Sequence, residues 1–274
     1  MLQRIAHENG VVTYQSPRLR DLGVIHAFTT RLGGVSRGPY AALNLGPLSK
    51  DDASDFNTSI AENYRRLRRA LAVEKFPRVE VKQVHGCAAW IPPRDHLVKP
   101  ADAPCADAIV TDQAGMLLTI RVADCVPVLL ASEDGKHVAA VHAGWRGVVM
   151  GVTPRAVGTF REDFGIRPAQ LVAAVGPCIG VEAFEVDADV AEAFDAFGLD
   201  DAIVSPGDAK PHIDLRQAVV LQLHRAGVPP EAIDVSERCT YRDEAEFFSH
   251  RRDVTHRRLP GTGRLAAVIA AKPA

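Results

Sequence analysis

Residues 108–147 read AIVTDQAGMLLTIRVADCVPVLLASEDGKHVAAVHAGWRG. Four apolar runs lie in this stretch: Ala108–Thr111, Leu117–Val122, Val126–Leu130 and His137–His142. Each is too short for a stable helix, and Asp, Gly and Ser punctuate the gaps, so all four are predicted strands. The last one leads into Ala-Gly-Trp-Arg-Gly (143–147), and a helix is predicted within Trp145–Phe164. Pro154 inside that helix demands a kink or a restart, with Thr153 as the new N-cap.

Outward from this stretch, strands and helices alternate. Val11–Gln15, Val24–Thr30, Leu171–Val175 and Arg264–Ala270 read as further strands, and Val79–Val84 as a strand running into His85. Asp55–Leu71 reads as a helix, because Ile60, Tyr64, Leu67 and Leu71 recur every three or four positions. Ser59 with Glu62 offers a capping box and an alternative start. Ala188–Phe197 and Leu215–Ala226 are helices, the second capped by Asp214 and stopped by Gly227. The stretches 31–50, 91–107 and 204–212 read as loops, none long enough to be a linker, so 1–274 is expected to form a single domain. Strict βαβ regularity is missing, which predicts mixed sheets flanked by helices rather than a Rossmann fold or a barrel.

Composition narrows the function. The chain has 274 residues, 47% hydrophobic and 24% charged, with a net charge of −2. No basic field favours nucleic acid, and no window is apolar enough for a membrane helix. The first residues show no apolar signal-peptide core, so a cytoplasmic location is expected. The cysteines (Cys87, Cys105, Cys125, Cys178, Cys239) are odd in number and widely spaced, which is not a disulfide framework.

Three segments place a metal-binding side chain at the end of an apolar run: Lys-Gln-Val-His-Gly (82–86), Ala-Asp-Cys-Val-Pro (123–127) and His-Ala-Gly-Trp-Arg-Gly (142–147). A structural zinc finger clusters its ligands in close pairs, and these are far apart. His85, Cys125 and His142 would instead leave a fourth position open, as catalytic zinc requires. Two metal-free readings use the same residues. The histidines can be hydrogen-bonded at the edge of the core beside a buried thiol. Alternatively, Cys125 is a nucleophile with His142 as its base and His85 or Asp124 orienting it. Arg146, at the start of a helix, and Arg31, on the Gly-rich turn 29–36, are candidate anion contacts. Ser-His-Arg-Arg (249–252) is a basic cluster of the kind that normally forms a solvated face. Cys178, in Gly-Pro-Cys-Ile-Gly (176–180), reads as a turn filler.

Together these motifs resemble one family over nearly the whole chain, that of the laccase-like multicopper polyphenol oxidases, also called laccase domain-containing proteins and peptidoglycan editing factors. The resemblance starts at His-Ala-Phe-Thr-Thr-Arg-Leu-Gly-Gly-Val-Ser-Arg-Gly-Pro-Tyr (26–40) and Leu-Asn-Leu-Gly (43–46), and runs through the three ligand segments and Gly-Pro-Cys-Ile-Gly. It closes at Cys-Thr (239–240), Phe-Phe-Ser-His-Arg-Arg-Asp (247–253) and Thr-Gly-Arg-Leu-Ala-Ala-Val-Ile (262–269). It implies an αββα sandwich and a zinc on His85, Cys125 and His142. The expected activity is phosphorolysis of adenosine, inosine, guanosine and methylthioadenosine, with adenosine deamination besides. The partners it implies are therefore a nucleoside and phosphate, with no nucleic acid and no membrane. Asp124, beside Cys125, is a candidate acid/base or a partner that orients a histidine; with Cys125 and Arg146 it makes up the expected catalytic set, and Arg31, Asn44, Gln83 and Arg251 are the expected substrate contacts. The fold is also similar to that of a Cys–His toxin deamidase. Two departures fall near the C-terminus: His250 stands where the family usually has Tyr, and His-Arg-Arg-Leu-Pro-Gly (256–261) is longer than the usual turn.

Copper is the alternative metal, since two His and one Cys also suit it. A multicopper oxidase, however, draws on many histidines in His-x-His pairs, and this chain has 10 His and no such pair. A third activity, hydrolysis of a wrongly built cell-wall precursor, could share the same centre.

Overall fold

The structure, a computed structural model, describes residues 1–46, 53–94, 102–205, 207 and 209–272. Of the stretches read as loops, 47–50, 95–101, 206 and 208 therefore lie outside the described residues. Strands β1 (Gln3–Ala6), β2 (Val12–Gln15) and β3 (Ile25–Thr29) form an antiparallel meander, with the short helix α1 (Pro17–Asp21) between the last two. Helix α2 (Ala53–Ala70) is followed by β4 (Arg78–Val79), β5 (Ala89–Trp90), β6 (Ala108–Thr111), β7 (Leu117–Val122), β8 (Val126–Ser132) and β9 (Val138–Ala143). Next come α3 (Trp145–Val149), α4 (Val152–Phe164), β10 (Leu171–Val175), α5 (Ala188–Ala196), the hairpin β11 (Ile203–Val204) and β12 (His212–Ile213), α6 (Leu215–Arg225), β13 (Ile233–Val235) and β14 (Leu265–Ala270).

Two mixed six-stranded sheets result, ordered β1-β2-β3-β14-β7-β4 and β13-β10-β8-β9-β6-β5. They pack face to face over one apolar layer, in which Phe28, Ile120 and Ala267 meet Leu129, Ala140 and Ala174. A second layer joins the outer face of the second sheet to α3, α4, α5 and α6, through Val128, Val141, Val148, Phe160, Phe194 and Val219. A third seats Tyr64, Leu67 and Leu71 on Leu117 and Val268 of the first sheet. This is the αββα arrangement. Alternation along β8 and β9 explains the continuous apolar runs. Val126, Val128 and Leu130 face the helices while Leu129 and Ala131 face the other sheet, so every residue of β8 is buried. Among the described residues no helix is long and apolar enough to cross a membrane.

Several boundaries differ from expectation. The strand foreseen at Val79–Val84 pairs over Arg78–Val79 and again in a single parallel bridge from Lys82 to Cys105, beyond which the chain is loop. There the Gln83 side chain takes over the pairing: its amide donates to the Arg121 carbonyl at 2.7 Å and accepts from the Arg121 N–H at 2.9 Å. The helix at 145–164 does restart, but at Gly151 rather than Thr153. Gly151 has φ 81°, a left-handed conformation that breaks α3 from α4 and suits glycine. Ser59 lies inside α2, so its capping pattern does not start the helix. Asp214 caps α6 as foreseen, accepting from the Gln217 N–H at 2.9 Å. The basic cluster 249–252 is only partly solvated: His250 is exposed and Arg251 half-buried, but Arg252 is not on the surface. Arg252 is buried in a π-helical turn (Arg251–His256), bonded to Asp253 and to the carbonyls of Thr240, Tyr241 and Phe247.

Candidate metal centre

Strand register builds the centre. β8 and β9 pair with Val126 opposite Ala143 and Pro127 opposite His142, so one step past the strand end Cys125 comes opposite Gly144. β6 and β9 pair with Ala108 opposite Val141, which brings Asp107 opposite His142, and the His142 N–H donates to the Asp107 carbonyl at 2.7 Å. His85 arrives from the loop after β4. The ligand atoms of His85, Cys125 and His142 all lie within 4.8 Å of one another. The His85 and His142 rings meet edge-on with centroids 4.8 Å apart, and the Cys125 Sγ is 3.9 Å from the His85 Nε2. His142 is buried, Cys125 half-buried and His85 exposed, so the group is open on one side.

Gly144 is what lets the three approach. A Cβ there would sit 2.7 Å from the His85 Cδ2 and 3.2 Å from the Cys125 Sγ. Two non-glycine residues beside the centre, His85 (φ 59°) and Asp124 (φ 90°), hold left-handed backbone, which costs about 1–3 kcal/mol each and persists only where the surroundings enforce it. For Asp124 the enforcement is visible: Oδ1 accepts from the Thr240 hydroxyl at 2.6 Å and Oδ2 from the Arg251 N–H at 2.7 Å.

Burial pushes the Cys125 thiol up, but the His142 and His85 imidazoles outweigh it and hold the thiol down to about 6. His142 is raised in turn, against its burial, by Cys125 and Asp107. A thiolate beside two imidazoles is a donor set suited to zinc or another borderline metal, so these residues fit a metal ion.

A cleft of about 660 Å³ opens over the group. Of the expected site residues, Asp124, Cys125, Arg146, Gln83 and Arg251 line it together with His85 and His142. Arg146 lies over the Trp145 ring at 4.2 Å and Arg251 over the Phe184 ring at 5.1 Å, so both guanidiniums are propped by aromatic faces. Two expected residues are elsewhere. Asn44 is fully buried, and its side chain bonds Gly46 and the Arg264 N–H. Arg31 bonds the carbonyls of Ala41 and Glu244 and does not line the cleft. Cys178 is fully buried away from the cleft, its thiol pushed up to about 11 by burial.

Sequence reading missed Lys82, Arg121 and Arg264 as further cations on the cleft wall. It also missed Asp107, whose carboxylate bonds the His142 Nδ1 at 2.7 Å. Burial raises that carboxyl, yet His142 and the surrounding amides hold it below the usual carboxylate range. Its one signal in the sequence is an acid at the head of a fully buried strand, Ala-Asp-Ala-Ile-Val (106–110).

Residues 25–272 match the family model described as multi-copper polyphenol oxidoreductase laccase. Among relatives, a Deinococcus radiodurans protein named purine nucleoside phosphorylase is 42% identical over 92% of this chain and 91% of its own. The Escherichia coli purine nucleoside phosphorylase YfiH is 38% identical over 90% and 93%. The crystal structure of YlmD from Geobacillus stearothermophilus superposes with a TM-score of 0.82 at 33% identity, covering 99% of both chains.

Proposed function

The chain belongs to the multi-copper polyphenol oxidoreductase laccase family, and on that footing we propose that it is a zinc-dependent purine nucleoside phosphorylase. The relatives named above carry that activity in their names. The observation that carries the reading is the cleft: Lys82, Arg121, Arg146, Arg251 and Arg264 line it around the His–Cys–His group, with Asp124 as the one carboxylate among the described lining residues.

Phosphorolysis joins a phosphate oxygen to C1′ of the ribose and breaks the C1′–N9 bond, whose electron pair leaves with the base and takes up a proton. The cationic wall suits the incoming phosphate. Arg146 has no hydrogen-bond or carboxylate partner among the described residues, so its guanidinium is free to take one. Arg251 is held to the Glu185 carbonyl at 2.7 Å, which fixes its reach. Trp145 and Phe184 offer apolar faces for the base and sugar. Both Asp124 oxygens are already engaged, which supports a positioning role for it rather than proton transfer. Zinc on His85, Cys125 and His142 would supply Lewis-acid stabilisation of the charge that builds during the reaction. Among the described residues, His250 is the one lining histidine besides the two candidate ligands, fewer than a multicopper cluster draws on.

The test is metal analysis of the purified protein with assays of adenosine and inosine, with and without phosphate. About one zinc per chain and base release that requires phosphate support the reading. Base release that ignores phosphate overturns it, and Arg146→Ala should raise the phosphate KM. The low thiol of Cys125, beside His142 and Asp107, favours a second reading as a Cys–His hydrolase. Full activity after metal removal, lost on alkylation of Cys125, would move the assignment there. Ammonia release from adenosine in the same assay would add deamination.

A further inference from the structure

We infer that Asp107 is the positioning residue of the metal centre, one carboxylate that sets both histidine ligands, His142 through its ring and His85 through its backbone. The inference rests on the reading of the His–Cys–His group as a metal site. Asp107 is fully buried just before β6, and its side chain has four partners. Oδ1 meets the His142 Nδ1 at 2.7 Å and accepts from the His85 N–H at 3.0 Å. Oδ2 accepts from the N–H of Gly86 at 2.7 Å and of Val84 at 3.2 Å.

These contacts divide into two jobs. The carboxylate is a pure acceptor, so a proton on the His142 Nδ1 faces it and Nε2 is the ring atom left to meet a metal beside Cys125 and His85. The three successive amides of residues 84–86 form a concave nest closed around the same carboxylate, as such nests close on anions. Closing it requires the left-handed turn seen at His85 (φ 59°), and that turn aims the imidazole across Gly144 at Cys125. Asp107 thereby ties a loop ligand to a strand ligand, and the cross-strand register of β6 and β9 fixes its own place. A carboxylate serving only the fold would need neither the His142 ring nor three consecutive amides flanking a ligand.

Asp107→Asn keeps the shape but replaces one acceptor oxygen by a donor, which must face either the ring N–H or the amides. Zinc affinity, read by competition with a chromophoric chelator, should fall roughly ten- to hundred-fold, with the loss in faster zinc release. The metal-free variant should melt somewhat below the metal-free wild type, since one buried donor loses its acceptor, yet remain folded. Unchanged zinc affinity in a folded Asp107→Asn protein overturns the inference. If the variant does not fold, nitrogen-detected NMR of the metal-free wild type decides. A slowly exchanging proton on the His142 Nδ1 supports the assignment, and its absence refutes it. Failure of the wild type to bind zinc would refute the metal reading of the group, while the NMR result would still decide the bond from Asp107 to His142.

Discussion

Replacing Gly144 by alanine tests the geometry of the centre with a single methyl group. The backbone at Gly144 (φ −75°, ψ 165°) is one that alanine adopts without strain, so the whole effect comes from the added Cβ. That atom would lie 2.7 Å from the His85 Cδ2 and 3.2 Å from the Cys125 Sγ. Carbon atoms in contact prefer about 3.5–4.0 Å, so the His85 ring must withdraw by roughly 1 Å. His85 is the exposed ligand and can swing toward solvent, whereas Cys125 and His142 are held by strand ends. The fold should therefore survive, and the cost of overpacking, about 1–3 kcal/mol, should fall on metal binding. That corresponds to a zinc affinity lower by roughly five- to 150-fold. Chelator competition reads the affinity, and thermal unfolding of the metal-free protein reads the fold. A Gly144→Ala protein that binds zinc as tightly as the wild type would show that His85 does not stand across Gly144 from Cys125.

Cys125→Ala should remove bound zinc and activity while leaving the circular dichroism of the protein unchanged; stoichiometric zinc in the variant would refute its role as a ligand. His26 should shape the acid side of the stability profile. Its Nε2 accepts from the Ser16 N–H at 2.8 Å, its Nδ1 meets the Val24 carbonyl at 3.0 Å, and burial pulls it down to about 4. An unfolded histidine titrates near ~6.5, so between these values the unfolded chain binds a proton that the native one refuses. Stability should fall by about 3 kcal/mol as the pH drops through that window, and His26→Gln should flatten this part of the curve in denaturant titrations. Arg252→Met leaves the Asp253 carboxylate buried without its cation, at a cost of about 3–5 kcal/mol, so the melting temperature should drop on the order of 10 °C. A drop of only a degree or two in calorimetry would mean that the pair is no anchor for the Arg251 turn.

The candidate metal ligands stood out in the sequence because each ends an apolar run or sits at a sharp turn, where chemistry-bearing side chains contrast with their neighbours. His85, Cys125 and His142 converge as that reading required. The strands β6 to β9 were legible for the same reason: burial on both faces leaves uninterrupted apolar runs. What local pattern could not settle was pairing. Gln83 looked like a strand residue with a polar side chain free for substrate, yet its amide substitutes for backbone against Arg121. Asn44 and Arg31 sit in motifs as distinctive as those of the ligands, but their polar groups are engaged by backbone away from the cleft. Arg252 and Arg251 are adjacent in the chain, and only the π-helical turn sends one into the core and the other to the cleft.

The sequence by itself therefore determined a class of mixed sheets flanked by helices, because burial periodicity is a local property, and its side-chain chemistry singled out three candidate ligands; the αββα layering was implied by the family resemblance. Tertiary structure alone decided the rest. The register of β6 on β9 set Asp107 opposite His142, and that of β8 on β9 set Cys125 opposite Gly144. Slipping either register by one residue would turn every side chain to the other face, so the site depends on hydrogen-bonded pairing between segments that no local pattern encodes.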